Sequence, residues 1–371
     1  MLDKQLLDVY TDYLLTSFSC VTATGLSKAV DYAYSHDQIT RLLSKEEYSQ
    51  KQYWHIIKPL VRHIEQPDGL VIVDDTIEEK PYTDENDIVC WHYDHTTGQN
   101  VKGINIVNFL YHTALPAAQE WCLPLAYEVV SKPEEYLDPK THKTKRKSTV
   151  SKNTQVRERL KILRFQNQIR FKYVLFDSWF SAKDNMVLIT TELGKHFVCA
   201  IKSNRTVALS HTDKLAGHFV QVSTLDFKPN ELRLVYLKGM EFPVLVTKQR
   251  FTNKDGSVGV LYLVTSDTAV TYEQLTNLYH KRWKIEEFHK SLKQNVALEK
   301  SPTKTETTQR NHLFAAMVAF IKLETLKLNA SRNHFALKSH LYVKAIQACF
   351  KELKTLQQQY ACSPIQFTLS A

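Results

Sequence analysis

Apolar residues along this chain recur at two different periods, and the switch between them divides it. Up to about residue 66 the spacing is helical, with LLDVYTDYLLTSF and QYWHIIKPLVRHI placing apolar side chains three and four apart. Between them, TGLSKAVDYAYSHDQITRLLS reads as two short helical stretches, Ser35 capping the second. Two readings fit segment 1–66: a helix-turn-helix followed by Arg41 and Lys45, docked on DNA, or a packed helical bundle without groove contact.

From Gly69 the pattern becomes that of strands. GLVIVDDT, KGINIVNFLYHT and WCLPLAYEVV are strand candidates, and the basic loop KTHKTKRKSTVSK (Lys140 to Lys152) leads into the helical TQVRERLKILRFQNQ. FKYVLFD is again an apolar strand ending in an acid, followed by a helix, SAKDNMVLITTELG, and a strand, HFVCAIKS. Apolar strands alternating with helices predict an α/β core over 67–202, a mixed sheet flanked by helices. Residues 203–270 predict a β-rich insertion whose last strand rejoins the core sheet. Core helices follow over 271–330 and a C-terminal helical segment over 331–371, with two amphipathic helices at about 305–328 and 335–358.

Composition narrows the partners. The 371 residues are 43% hydrophobic and 23% charged, as in an ordinary globular protein. A net charge of +9 favours a polyanionic partner. Six scattered cysteines without a CxxC pair fit reduced thiols and a cytosolic location. The longest apolar run, Leu313 to Ile321, is too short to span a bilayer, and no membrane partner is expected. His92 and His95 have HxxH spacing but lack the full ligand set of a zinc site, so a polar strand edge or a supporting role near the first Asp is the favoured reading.

The stretch LYHKRWKIEEFHKSLKQ, from Leu278 to Gln294, has neither Gly nor Pro and predicts one continuous helix. At roughly 100° per residue, Tyr279, Arg282, Glu286 and Lys293 share one narrow stripe. Leu278, Ile285, Leu292 and Val296 form the buried seam beside it, while Lys284, Glu287, Ser291 and Gln294 are expected to face solvent. Asp177 ends one apolar strand, and Asp74 and Asp75 end another, at the edge where α/β sheets place their ligands. Adjacent residues in a strand point to opposite faces, so only one of Asp74 and Asp75 can join Asp177. Three convergent carboxylates suit a hard divalent cation, and nearby cations suit phosphates.

Tyr279, Arg282, Glu286 and Lys293 spell Tyr-x2-Arg-x3-Glu-x6-Lys. In this the chain resembles, over about residues 70–325, the YREK group of insertion-sequence transposases, which includes the family named after insertion sequence number four. The resemblance implies a ribonuclease-H-like core with Asp75, Asp177 and Glu286 as catalytic, metal-binding acids. Its Asp-Thr context, here VIVDDT, selects Asp75 over Asp74. It assigns Tyr279, Arg282 and Lys293 to the DNA backbone, and it implies two Mg²⁺ or Mn²⁺ ions. Its substrate would be double-stranded DNA, cut at terminal inverted repeats and joined to target DNA by a cut-and-paste route. A homodimer in the DNA complex and a cytoplasmic, nucleoid-associated location in a prokaryote are the matching expectations. The alternatives are a structure-specific nuclease on the same core and a DNA-binding protein without catalysis.

Overall fold

The computed structural model describes residues 2–94, 97–115, 119–139, 141–252 and 255–360. Four helices come first: α1 (Lys4–Thr16), α2 (Ala23–Ala29), α3 (His36–Ser44) and α4 (Gln50–Ile64). Each begins where a side chain satisfies an orphan amide; Ser35 and Ser49 form reciprocal caps with Gln38 and Gln52. Then follow β1 (Leu70–Glu79), β2 (Val89–Asp94), β3 (Gln99–Leu115), β4 (Gln119–Val129), the hairpin β5 (Glu134–Leu137) and β6 (Thr144–Lys147), α5 (Lys152–Lys161), β7 (Tyr173–Phe176), α6 (Lys183–Val187) and β8 (His196–Ile201). The backbone leaving α5 and α6 widens into i→i+5 bonds, Asn167 N to Ile162 O and Leu193 N to Leu188 O.

The next segment holds β9 (Thr206–Ala208), α7 (His211–Ala216), β10 (Val220–Gln221), β11 (Arg233–Leu237), β12 (Val244–Thr252) and β13 (Val258–Thr265). The chain finishes, as described, with α8 (Tyr272–His280), α9 (Trp283–Asn295), α10 (Glu306–Ala330) and α11 (His334–Gln359). No helix among the described residues is long and apolar enough to cross a membrane.

Among the described residues eleven strands form one mixed sheet. Its centre runs β4-β3-β1-β7-β8, with β1 antiparallel to β3 and parallel to β7, and β7 parallel to β8. Leu70–Val73 and Tyr173–Phe176 are buried throughout, as parallel strands covered on both faces must be. The strands from 206 to 265 extend this sheet, and β13 pairs with β8. β3 is the longest strand, with ladders to β1, β2 and β4.

Helices α1 to α4 form a layer on α10 that shares one apolar core with the sheet. Tyr10, His312 and the backbone after α9 tie it down. The Nε2 of His312 donates to the carbonyls of Ala297 (3.2 Å) and Leu298 (3.1 Å), so its Nδ1 accepts from the Tyr10 hydroxyl at 2.9 Å. Burial pushes this imidazole from 6.5 down to about 4. The folded state therefore holds His312 neutral where the unfolded chain would protonate it. Its contribution is complete above about pH 6.5 and is lost as pH falls towards about 4, a cost of about 3 kcal/mol. Urea unfolding followed between pH 7 and 4.5 should show a flatter acid slope for His312→Gln than for wild type.

Three sequence expectations are corrected. The helix expected to run unbroken from Leu278 to Gln294 is two, α8 and α9, separated at Lys281 and Arg282. There the amides bond three residues back, Arg282 N to Tyr279 O at 3.0 Å and Ile285 N to Arg282 O at 3.1 Å, a tightened turn that neither Gly nor Pro announces. Ser291, expected on the solvent side, is buried because α11 packs there, its hydroxyl 2.9 Å from His334 Nδ1. Residues 144–147 of the basic stretch expected as a loop form β6, and the three cations there are paired. Arg146 meets Asp87 (2.8 Å) and Glu135 (2.7 Å), Lys147 meets Glu134 (3.0 Å), and Lys145 meets Asp138. Lys140, His95 and residues 361–371 lie outside the described residues.

Candidate active site

The register of β1 with β7 sets the site. Leu70 stands opposite Tyr173 and Ile72 opposite Leu175. Continued two residues, that ladder brings Asp177 level with Asp74, on the same face of the sheet. Asp177 leaves the end of β7 into a turn that its own carboxylate caps, Oδ1 accepting from Trp179 N (2.9 Å) and Phe180 N (3.2 Å). The cap is the bland role for a strand-end Asp, and here it also fixes the carboxylate at the mouth of the sheet.

α9 lies over β1 and brings Glu286 to the same cleft. Arg282 bridges the two elements, its Nη1 lying 3.2 Å from Asp74 Oδ2 and 3.4 Å from Glu286 Oε1. Ile285, Phe288 and Leu292 are buried beneath α9, while Glu287 is exposed. Lys293, further along the helix, donates to Ile77 O at 2.7 Å and lies 3.4 Å from Glu299. Tyr279 stands behind Arg282, its ring 5.8 Å from the guanidinium carbon and outside the cleft lining. Burial pushes its phenol up to about 12.

Asp75, the next residue of the extended strand, turns to the opposite side of β1 while still lining the same cleft. Its Oδ2 accepts from Asn105 Nδ2 at 2.7 Å and Lys152 Nζ at 2.8 Å. Lys152 also sits 4.2 Å from the centre of the Trp179 ring. Asp74, Asp75, Asp177 and Glu286 all line one cleft of about 740 Å³, with Lys152, Lys202, Lys290 and Lys293 around them.

The electrostatics single out Asp74. Burial, then the charges of Asp177, Glu286 and Asp75, push its carboxyl from 3.8 up to about 8, and Arg282 opposes the rise. Such crowding of oxygen donors is the environment a hard divalent cation relieves. Among the described residues no three acids are yet drawn together into a metal cage. The oxygen donors nevertheless suit a hard divalent cation, with Arg282 standing as counter-charge for Asp74 and Glu286.

Sequence reasoning missed several neighbours. Asn105 and Asn108 are buried polar breaks in the apolar run KGINIVNFLYHT, and that interruption was a readable signal. Asn108 Nδ2 lies 3.1 Å from His289 Nε2, three residues after Glu286. Burial, with Lys293 and Arg282 nearby, lowers His289 to about 3, which keeps it neutral. His92 is a buried histidine beside Cys90 Sγ at 3.4 Å, likewise lowered to about 3 by burial.

Acids at adjoining parallel strand ends, with a third delivered by a later helix, present the kind of oxygen donors on which metal-assisted phosphoryl transfer draws. Residues 3–217 match the family model of DDE superfamily endonucleases, and residues 140–321 match that of the transposase DDE domain. The first match spans more than half of the chain, which belongs to the DDE superfamily of endonucleases. No curated protein matches it. Membership makes the chain an enzyme of the nuclease and transposase class, with DNA as its partner.

Proposed function

We propose that this protein is an insertion-sequence transposase that cuts DNA at terminal inverted repeats and joins the freed ends to target DNA. The observation carrying this reading is the meeting of Asp74 and Glu286 at Arg282, with Asp177 in the same cleft rimmed by lysines. The strand order β4-β3-β1-β7-β8 supports a ribonuclease-H-like core, and the YREK spacing supports the insertion-sequence group.

The metal ligands in this reading are Asp74, Asp177 and Glu286. The first acid is thus Asp74, whose face and register match Asp177, and Asp75 acts through Lys152 and Asn105 as a positioning residue. Bound divalent ions would activate the attacking oxygen and stabilise the leaving oxygen at phosphorus. Arg282 then holds the two sides of the cleft in register and is available to a phosphate. Lys293, about 10 Å beyond Glu286 along the helix, holds a neighbouring phosphate. Tyr279 supports the guanidinium of Arg282 from behind.

Labelled terminal-repeat DNA incubated with protein and Mg²⁺ tests the reading on a gel. Cleaved and strand-joined products support it. Cleavage without joining would favour a structure-specific nuclease, and binding alone would remove catalysis. Lys293→Ala should weaken the DNA complex with a salt slope shallower by about one unit, and cleavage should recover at low salt. A Lys293→Ala enzyme that stays inactive at low salt would contradict its role as a phosphate clamp.

A further inference from the structure

The acid cleft opens at one end onto the sheet-edge strand β2. There Trp91 and Tyr93 are 53% and 54% exposed on one face, while Cys90 and His92 on the opposite face are buried. Strand geometry spaces the two rings about 7 Å apart along β2, comparable to the step between nucleotides of an unstacked strand. Tyr93 lines the acid cleft itself, together with Lys152, Lys202 and Trp179.

The surroundings suit a polyanion. Lys102 stands opposite Trp91 in the ladder with β3, and Lys132 Nζ donates to Trp91 O at 2.6 Å. Two of the nearby acids are engaged. Glu85 accepts from the Trp91 indole at 2.7 Å, and Asp87 pairs with Arg146 at 2.8 Å.

We propose that Trp91 and Tyr93 form a stacking platform for the bases of a single-stranded DNA end leaving the acid cleft. The proposal rests on the DNA-cleavage reading given above. Each base offers a π face irrespective of sequence, so the aromatic pair grips an unpaired strand without reading it, while the lysines take its phosphates. Paired bases are stacked on one another and do not offer those faces, so the platform distinguishes a tail from a blunt duplex. A protein partner on this edge would make no such distinction.

The test compares a fluorescein-labelled blunt duplex with the same duplex carrying a tail of about six nucleotides. Anisotropy is recorded in EDTA, so that nothing is cut. Wild type should bind the tailed DNA roughly tenfold or more tightly than the blunt one. Trp91→Ala and Tyr93→Ala should each remove much of that preference, the double variant all of it, with blunt-duplex affinity unchanged. Trp91→Phe keeps a ring and should keep most of the preference; it also serves if an alanine variant fails to fold. Equal tail preference in wild type and the double variant overturns the platform, as does a wild type that binds both DNAs alike. Binding of neither DNA by wild type would instead overturn the DNA reading itself, and the platform with it.

Discussion

Asp74→Asn is expected to lower the single-turnover cleavage rate on the order of 10³-fold, in line with the loss of one preorganised charged group. Asp75→Asn should cost only about 10- to 100-fold, the usual effect of removing a group that orients a ligand. The two residues are neighbours in sequence with the same chemistry, so the contrast isolates placement. Asp74 shares its face with Asp177 and meets Arg282 and Glu286, whereas Asp75 is tied to Lys152 and Asn105. Glu286→Gln should match the loss in Asp74→Asn, and Glu287→Gln, exposed on α9, should be nearly silent. Retained DNA binding in all four variants would show that the loss lies in the chemical step. A more severe defect in Asp75→Asn than in Asp74→Asn would reverse the assignment of the first acid.

Asn311→Ala is expected to destabilise the fold by about 4 kcal/mol. This fully buried side chain on α10 accepts from Tyr48 N at 2.8 Å and donates to Leu43 O at 2.8 Å and Glu46 O at 2.6 Å. It closes the chain between α3 and α4, serving a carbonyl in the last turn of α3 together with one carbonyl and one amide of the link that follows. Alanine strands all three, and each buried orphan costs about 1–3 kcal/mol. Against a typical total of about 5–15 kcal/mol, the loss would be plain in equilibrium urea unfolding. An effect below about 1 kcal/mol would mean that water or a backbone shift satisfies the same groups.

The elements that depend on local patterning were legible in the sequence. The apolar runs ending at Asp74 and Asp177 are strands, and the two C-terminal helices span Glu306–Ala330 and His334–Gln359. What escaped depends on contacts between distant segments. Ser291 has the spacing of a solvent position and is buried only because α11 folds back over it. The turn at Lys281 and Arg282 goes with a guanidinium held between β1 and α9, which helical periodicity does not contain. The cations of 144–147 looked free because their partners, Glu134, Glu135, Asp138 and Asp87, stand on an opposing strand and a separate loop. The proposed choice of Asp74 over Asp75 rests on the register between β1 and β7 and on the face that α9 covers, neither of which local patterning contains.

The long strand β3 limits how the chain can change length. Residues 103–112 pair with β1, 99–104 with β2 and 106–115 with β4, so one strand is the common reference for three others. A residue added in it ahead of Asn105 would exchange its two faces beyond that point. Asn105 and Asn108, which serve Asp75 and His289 on opposite faces, would be carried to the wrong sides together. Homologous chains should therefore vary in length at the links on either side of β3, while the stretch 99–115 keeps a constant count.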